Sequence, residues 1–168
     1  MEFVICRHRD LTRQQYEAIA ALKDQHWPHG TDSQISWIRE NFDQEDVHII
    51  LYQGKQAAAY ASLNRITCTV NGKQERLLGL GGVCVDKACQ KQGLGKKLVE
   101  RAKGYIAGES LPGLLLCHRE LTGFYSRCGW ESVDFEAATV AGTPFDHCIM
   151  AIGKDFGDVI AFHIPKNF

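Results

Sequence analysis

The sequence predicts an α+β domain built on a mixed sheet, and three stretches carry that prediction. Between residues 47 and 85, apolar strand-like runs follow one another with only tight turns between them, the pattern of an antiparallel meander. Gly81-Gly82-Val83-Cys84-Val85 then leads through a polar turn into Leu94, Leu98, Ala102 and Tyr105 at helical spacing, and Leu114-Leu115-Leu116-Cys117 follows as a compact buried strand. Strand, helix and strand in that order form a right-handed crossover, which makes the two strands parallel. Two amphipathic segments lie ahead of the meander. The expected architecture is a mixed sheet of roughly six to seven strands with about four helices.

In chain order, Phe3-Val4-Ile5-Cys6 reads as a short first strand. From Leu11 to Trp27 the residues Leu11, Ala18, Ile19 and Leu22 share one helical face, and Trp27-Pro28-His29-Gly30 ends it. Thr31-Asp32-Ser33 offers an N-cap for a second helix carrying Ile35, Trp37, Ile38 and Phe42. Val47 to Tyr52 is a strand, Gln53-Gly54-Lys55 a turn, and Ala57 to Val70 a longer strand. Asn71-Gly72 is a strong hairpin signal, because both residues tolerate the positive φ of a type I′ turn; the return strand runs from about Glu75 to Val85. A helix from about Gly93 to Ile106 is broken by Leu111-Pro112-Gly113, and a short helix with Leu121, Phe124, Tyr125 and Cys128 is closed by Gly129. Strands near Trp130–Thr139 and Cys148–Ile152 finish the sheet, while Asp155–Phe168 receives no assigned place. Without repeats, linkers or low-complexity stretches, residues 1–168 read as a single domain.

Composition narrows the class. The chain is 45% hydrophobic and 23% charged, ordinary globular values, and its net charge of −1 argues against nucleic acid as a partner. No apolar run reaches bilayer length, and Met1 to Arg7 is too short and too soon charged for a signal peptide, so a cytoplasmic location without membrane attachment is expected. The cysteines at 6, 68, 84, 89, 117, 128 and 148 are odd in number and contain no Cys-x-x-Cys pair. They read as reduced, mostly buried thiols, with neither a disulfide framework nor a metal site.

The stretch from Gln90 into the following helix is an anion cradle in outline. The first N–H groups of a helix have no partner within it, the dipole is positive there, and Gly93 and Gly95 keep Cβ atoms away. A Walker-type loop would need glycine at 90 and Ser or Thr at 97, where the chain has Gln90 and Lys97. The dinucleotide pattern fails at Leu98, which takes the place of its third glycine, and an antiparallel meander precedes the loop. Gln90-Lys91-Gln92-Gly93-Leu94-Gly95 instead resembles the Gln/Arg-x-x-Gly-x-Gly/Ala signature of the GNAT superfamily of acyl-CoA-dependent N-acetyltransferases. Val83-Cys84-Val85 stands where that family has the strand ahead of its pyrophosphate loop. Leu121-Thr122-Gly123-Phe124-Tyr125-Ser126-Arg127-Cys128-Gly129-Trp130 resembles its second motif, and the order of elements from Phe3 to Ile152 matches its fold.

The resemblance implies a GNAT-like fold and acetyl-CoA as co-substrate. By it, backbone groups of Val83 and Val85, on either side of Cys84, pair with the pantetheine arm, as an extended amide chain pairs with an open strand edge. Gln90, Lys91, Gln92, Gly93, Leu94, Gly95 and Lys96 wrap the pyrophosphate, and Lys91, Lys96, Lys97 and Arg101 are candidates for the outer phosphates. For Lys97 and Arg101 a solvated helix face is an equal reading. Tyr125 matches a general acid near the thioester sulfur, against the alternative of an aromatic packed beside Phe124. His118 stands where relatives carry an Asn that touches the cofactor.

The implied reaction is direct transfer of acetyl to a primary amine of a small molecule. Several relatives place a glutamate two to four residues ahead of Val-x-Val, but here those positions are Gly79, Leu80 and Gly81. A water relay or an imidazole from elsewhere is therefore expected as base: His118, ranked behind its cofactor-contact role and behind a plain strand-end histidine, with His48, Asp146 and His147 as weaker candidates still. A covalent route through Cys84, or through Cys117 beside His118, runs against the usual inertness of strand cysteines. The segments around Val83 and Tyr125 are similar to the aminoglycoside N-acetyltransferases, without their strand glutamate. Acceptor choice falls to the early helices, with Trp27, Trp37 and Phe42, and to Asp134, Glu136 and Asp146, whose charge favours a cationic amine. Two other readings stay open: an acyl-CoA-binding sensor or structural domain, and acetylation of a protein N-terminus or lysine. A homodimer through edge strands between 130 and 152 stays open as well.

Overall fold

The computed structural model describes residues 1–168. Contacts divide the chain into two compact units: Met1–Asn64 with Gly82–Ala102, and Arg65–Gly81 with Lys103–Phe168. The long strands of the meander contribute residues to both.

In the first unit, β1 (Glu2–Arg7) pairs antiparallel with β2 (Val47–Gln53), and β2 pairs antiparallel with the beginning of β3 (Gln56–Val70). Val47 to Leu51 is buried without a break, which explains its continuous apolar reading. Helix α1 (Arg13–Asp24) opens on a capping box: Gln15 N–H donates to Thr12 Oγ1, and Thr12 N–H donates to Gln15 Oε1. It ends at Asp24, short of the expected Trp27, because the Asp24 carboxylate accepts from His29 N–H at 2.9 Å and Gly30 N–H at 2.7 Å and folds the chain into a turn. The following helix, α2 (Thr31–Asn41), is capped by Gly30 at φ +87° without a side-chain bond. The expected cap at Thr31–Ser33 is thus inside the helix, where these residues fill its first turn. Ile19 and Leu22 of α1 meet Ile38 and Phe42 beside α2, and the same cluster takes in Ile50, Ala57, Tyr60 and Cys84. The final residues of β4 (Lys73–Val85) and the start of α3 (Leu94–Gly108) complete this unit.

In the second unit, β4 pairs parallel with β5 (Gly113–Cys117) over Leu78–Leu80, as the crossover requires. β5 pairs antiparallel with β9 (Cys148–Ile152), which also takes β6 (Glu131–Val133). Helix α4 (Thr122–Arg127) precedes β6. β7 (Phe135–Val140) turns through Ala141-Gly142 into the two-residue β8 (Thr143–Pro144). The tail without an expected place contains β10 (Val159–Ile164), which lies between β3 and β7, antiparallel to the first and parallel to the second. Ten strands therefore replace the expected six or seven, because the 130–144 stretch breaks into three short strands and the tail adds another. Four α-helices match expectation.

Asn71-Gly72 forms the expected turn, at φ 48° and 79°. The Asn71 side chain does a second job: its Oδ1 accepts from Ile160 and Ala161 N–H, and its Nδ2 donates to the Asp158 carbonyl at 2.8 Å. The core of this unit gathers Leu77, Leu114, Ile149, Val159 and the fully buried Phe162. No helix is long and apolar enough to cross a membrane.

Candidate functional site

The glycine loop is anchored at its entry. Asp86 Oδ1 accepts from Ala88 N–H, its Oδ2 accepts from Gln25 Nε2, and Gln25 Oε1 accepts from Lys87 N–H. The Gln25 hydrogen bond, with that from Ala88, holds the Asp86 carboxyl below its usual range. Beyond a 3-10 turn at Lys87–Cys89 the residues Gln90, Lys91, Gln92 and Gly93 are exposed. Lys91 at φ +61° and Gly93 at φ +77° reverse the chain into α3, whose first backbone bond runs from Lys97 N–H to the Gly93 carbonyl at 3.1 Å. Next to this helix start lies an open groove of about 630 Å³ lined by Phe3, Gly93, Lys96, Lys97, Glu100 and Arg101. The structure thus gathers Lys96, Lys97 and Arg101 around Gly93, while Lys91 lies outside the lining. Leu94 is buried and anchors α3, so only its backbone is available to a ligand.

Ahead of the loop, β4 ends at Val83, Cys84 and Val85. Gly82 is a left-handed residue at φ +59°, and a Cβ there would stand 3.1 Å from the Tyr60 ring. Val83 and Val85 are half-buried and Cys84 is buried. Burial pushes the Cys84 thiol up to about 12, and that of Cys117 up to about 11. Both are neutral thiols at pH 7, which argues against the covalent route. The Val85 carbonyl accepts a 2.8 Å hydrogen bond from His26 Nε2, so one of the groups expected to face the pantetheine arm already has a partner.

Beneath the α1–α2 cluster runs a buried polar chain that the sequence did not connect. Tyr60 Oη lies 2.8 Å from His48 Nδ1, His48 Nε2 lies 3.0 Å from His8 Nδ1, and His8 Nε2 lies 3.4 Å from Tyr16 Oη. Burial, then the charges of His8 and Lys23, lower His48 to about 3. His48 is therefore a neutral imidazole at pH 7, sealed from solvent at 0% exposure. Phe42 stacks on His8 and belongs to this core rather than to an acceptor wall. Trp27 and Trp37 are partly exposed, with Lys23 Nζ held 4.4 Å from the Trp37 ring centre and 5.6 Å from that of Trp27.

In the second unit, α4 ends in a Schellman motif. Trp130 N–H bonds to the Tyr125 carbonyl, Gly129 N–H bonds to that of Ser126, and Gly129 takes φ +85°. That geometry explains the Gly-Trp of the sequence motif and buries Trp130. Tyr125 is buried, with Phe124 packed edge-on at 5.0 Å, and desolvation pushes its phenol up to about 12. It carries its proton throughout the neutral range. His118 is exposed, and its ring meets His147 at 4.4 Å. These two histidines extend the Cys117–Cys148 pair of the β5–β9 ladder, a register no local signal announces. Asp134, Glu136 and Asp146 are exposed. A residue missed altogether is Phe168, which lies against Gly79 and Gly81; two glycines at strand spacing i, i+2 were its only trace.

Comparison with known proteins agrees with this arrangement. The family model described as an acetyltransferase (GNAT) domain matches residues 7–133. Escherichia coli ElaA has a similar crystal structure, with TM-score 0.66 and 21% identity over 89% of this chain and 97% of that one. An acyl-CoA N-acyltransferase from Pseudomonas aeruginosa gives TM-score 0.65 and 21% identity over 89% and 97%. An aminoglycoside 6′-N-acetyltransferase complexed with coenzyme A gives 0.65 and 15% over 89% and 96%. At such identities these structures establish the fold. A search of curated protein sequences found no match. The family match spans the strand, the glycine loop and the helix of Tyr125, and the chain belongs to the GNAT acetyltransferase family.

Proposed function

We propose that the chain transfers the acetyl group of acetyl-CoA directly to the primary amine of a small molecule. The observation that carries this reading is the end of β4 at Val83–Val85, leading through a loop with the left-handed Gly93 to the head of a helix flanked by Lys96, Lys97 and Arg101. An extended amide arm can pair with a strand edge, and a pyrophosphate fits helix N–H groups. Val83, Cys84 and Val85 would hold the pantetheine arm; Gln90 through Lys96 would hold the pyrophosphate, with the three cations at the outer phosphates. His118 is proposed at the cofactor as well.

The chemistry requires a deprotonated amine, a donor for the developing oxyanion and a proton for the departing thiolate. The N–H of Val85 or of its strand neighbours is the proposed oxyanion donor. Tyr125 is the proposed acid: a buried phenol that holds its proton at pH 7 can give it to a thiolate. The high thiol pKa of Cys84 supports direct transfer. Seven free thiols support a reducing, cytoplasmic setting. A second reading, an acyl-CoA-binding domain without turnover, is favoured by the absence of an ionisable side chain at Gly79, Leu80 and Gly81.

Calorimetric titration with acetyl-CoA, followed by thiol release across a panel of amines and peptides, tests both. Binding with turnover of a small amine supports the proposal. Binding without turnover of any acceptor supports the second reading, and a chain that does not bind acetyl-CoA refutes both.

A further inference from the structure

The ladder between β5 and β9 ends on two thiols. Its last register pair sets Cys117 directly opposite Cys148, and the chain continues beyond it as His118 and His147, whose rings meet at 4.4 Å. All four residues belong to the second unit. Residues directly opposite each other in an antiparallel ladder project from the same face, with Cβ atoms roughly 4.5–5.5 Å apart. A disulfide needs about 3.5–4.5 Å between them. The difference is small. Because the pair is the last of the ladder, drawing the strands together there displaces no register pair beyond it.

Both cysteines are free thiols, and they differ in access. Cys117 is 7% exposed, whereas Cys148 is half-buried. Burial is the main cause that raises the Cys117 thiol, and the neighbouring charge of Cys148 adds to it, in keeping with the register. Cys117 is thus protonated and sheltered, while Cys148 offers its sulfur to small reagents.

We infer that Cys117 and Cys148 are a redox-sensitive modification site, open as two thiols in a reducing environment and joined across the ladder by peroxide. The Cys148 sulfur reacts first: it takes one oxygen from hydrogen peroxide, becomes a sulfenic acid and releases water. The Cys117 sulfur then attacks that sulfur. The S–S bond forms, the S–O bond breaks, and the hydroxyl group leaves with the Cys117 proton as a second water. Two thiols lose two electrons, and one peroxide is reduced to two waters. Reduced glutathione reverses the step by exchange at the accessible sulfur, two of its thiols leaving as glutathione disulfide. The bridge ties β5 to β9 where β5 gives way to His118 and the segment of α4. This inference goes beyond acetyl transfer and does not rest on it.

The test treats folded wild type, Cys117→Ala and Cys148→Ser with hydrogen peroxide, blocks the remaining thiols and maps proteolytic fragments by mass spectrometry. Wild type should give a fragment pair joining Cys117 to Cys148. Its thermal midpoint should rise by roughly 5–10 °C on oxidation and return in excess reduced glutathione. Neither variant should form that bridge or show that rise. If Cys117→Ala fails to fold, Cys148→Ser, altered at the half-buried position, carries the same comparison. Cys148 oxidised to sulfinic acid without a bridge overturns the inference, as does a bridge from Cys117 to Cys128 instead. A bridge that forms only after urea has opened the chain also overturns it, and so does one that glutathione does not reopen.

Discussion

The buried His48 makes stability depend on pH in a way that can be calculated. Its imidazole is lowered from 6.5 to about 3, chiefly by burial and then by the charges of His8 and Lys23. The native state keeps His48 neutral, while the unfolded chain binds a proton there below about pH 6.5. Between those limits the unfolded state holds more protons, so stability is complete above pH 6.5 and declines as the pH falls toward 3. Each pH unit costs about 1.4 kcal/mol, so going from pH 7 to pH 5 removes about 2 kcal/mol through this residue. Urea unfolding of wild type and His48→Gln at the two pH values isolates the effect. The variant is expected to be less stable at pH 7, by roughly 1–3 kcal/mol, because Tyr60 and His8 lose a well-placed partner. Its further loss on acidification should be smaller than that of wild type by about 2 kcal/mol. His8 is also held below its ordinary value by burial and touches His48, so the same pair measured in a His8→Gln background isolates the His48 contribution. Equal losses in the two proteins would refute the assignment of His48 as a neutral, sealed imidazole.

Other expectations follow from the same geometry. Tyr125→Phe removes the proposed acid but little volume, so turnover should fall roughly ten- to a hundredfold with acetyl-CoA affinity retained; unchanged turnover removes Tyr125 from the chemistry. Gly93→Val places a branched side chain at φ +77°, with open space around it, so calorimetry should show weakened acetyl-CoA binding with a modest loss of stability. Lys96→Ala should weaken acetyl-CoA by about two- to fivefold at low salt and by less at high salt, since Lys96 is exposed and screened. Gly113→Ala drives a Cβ to within 2.8–2.9 Å of Ile152, Ile106 and Trp130, and thermal unfolding should register a cost of about 1–3 kcal/mol.

What could be read from the residues alone divides by range. Asn71-Gly72, the Gln90–Gly95 loop and the Gly129-Trp130 helix end are set by dihedral preferences and bonds within a few residues, so the expected turn, loop and cap are all found. Elements that depend on distant partners were less legible. β10 has short, unremarkable alternation and becomes a strand because Val70 and Phe135 flank its position. Thr31 reads as a cap by composition, yet Asp24 organises the turn ahead of it and shifts the cap to Gly30. The glycines at 79 and 81 advertised a missing base, whereas Phe168, which occupies their face, carries no local mark. Likewise, His8, His48 and Tyr60 lie far apart along the chain and meet only through the pairing of β1, β2 and β3.

Asn71 has a consequence for the order in which the molecule assembles. Its backbone can turn as soon as β3 and β4 meet, but its side chain is satisfied only by residues 87 to 90 positions further on. Closing so long a loop carries an entropic cost that local contacts do not, so the hairpin is expected to form early and β10 to dock late. Because it docks late, β10 should also be one of the first segments to open from the native state, with the Asn71 bonds delaying that opening. Amide hydrogen exchange would then find Ile160 and Ala161 less protected than Leu78 and Leu80, and slower in wild type than in Asn71→Gly. The hairpin turn thus sets the lifetime of β10, linking a surface asparagine to a strand 87 to 90 positions further on.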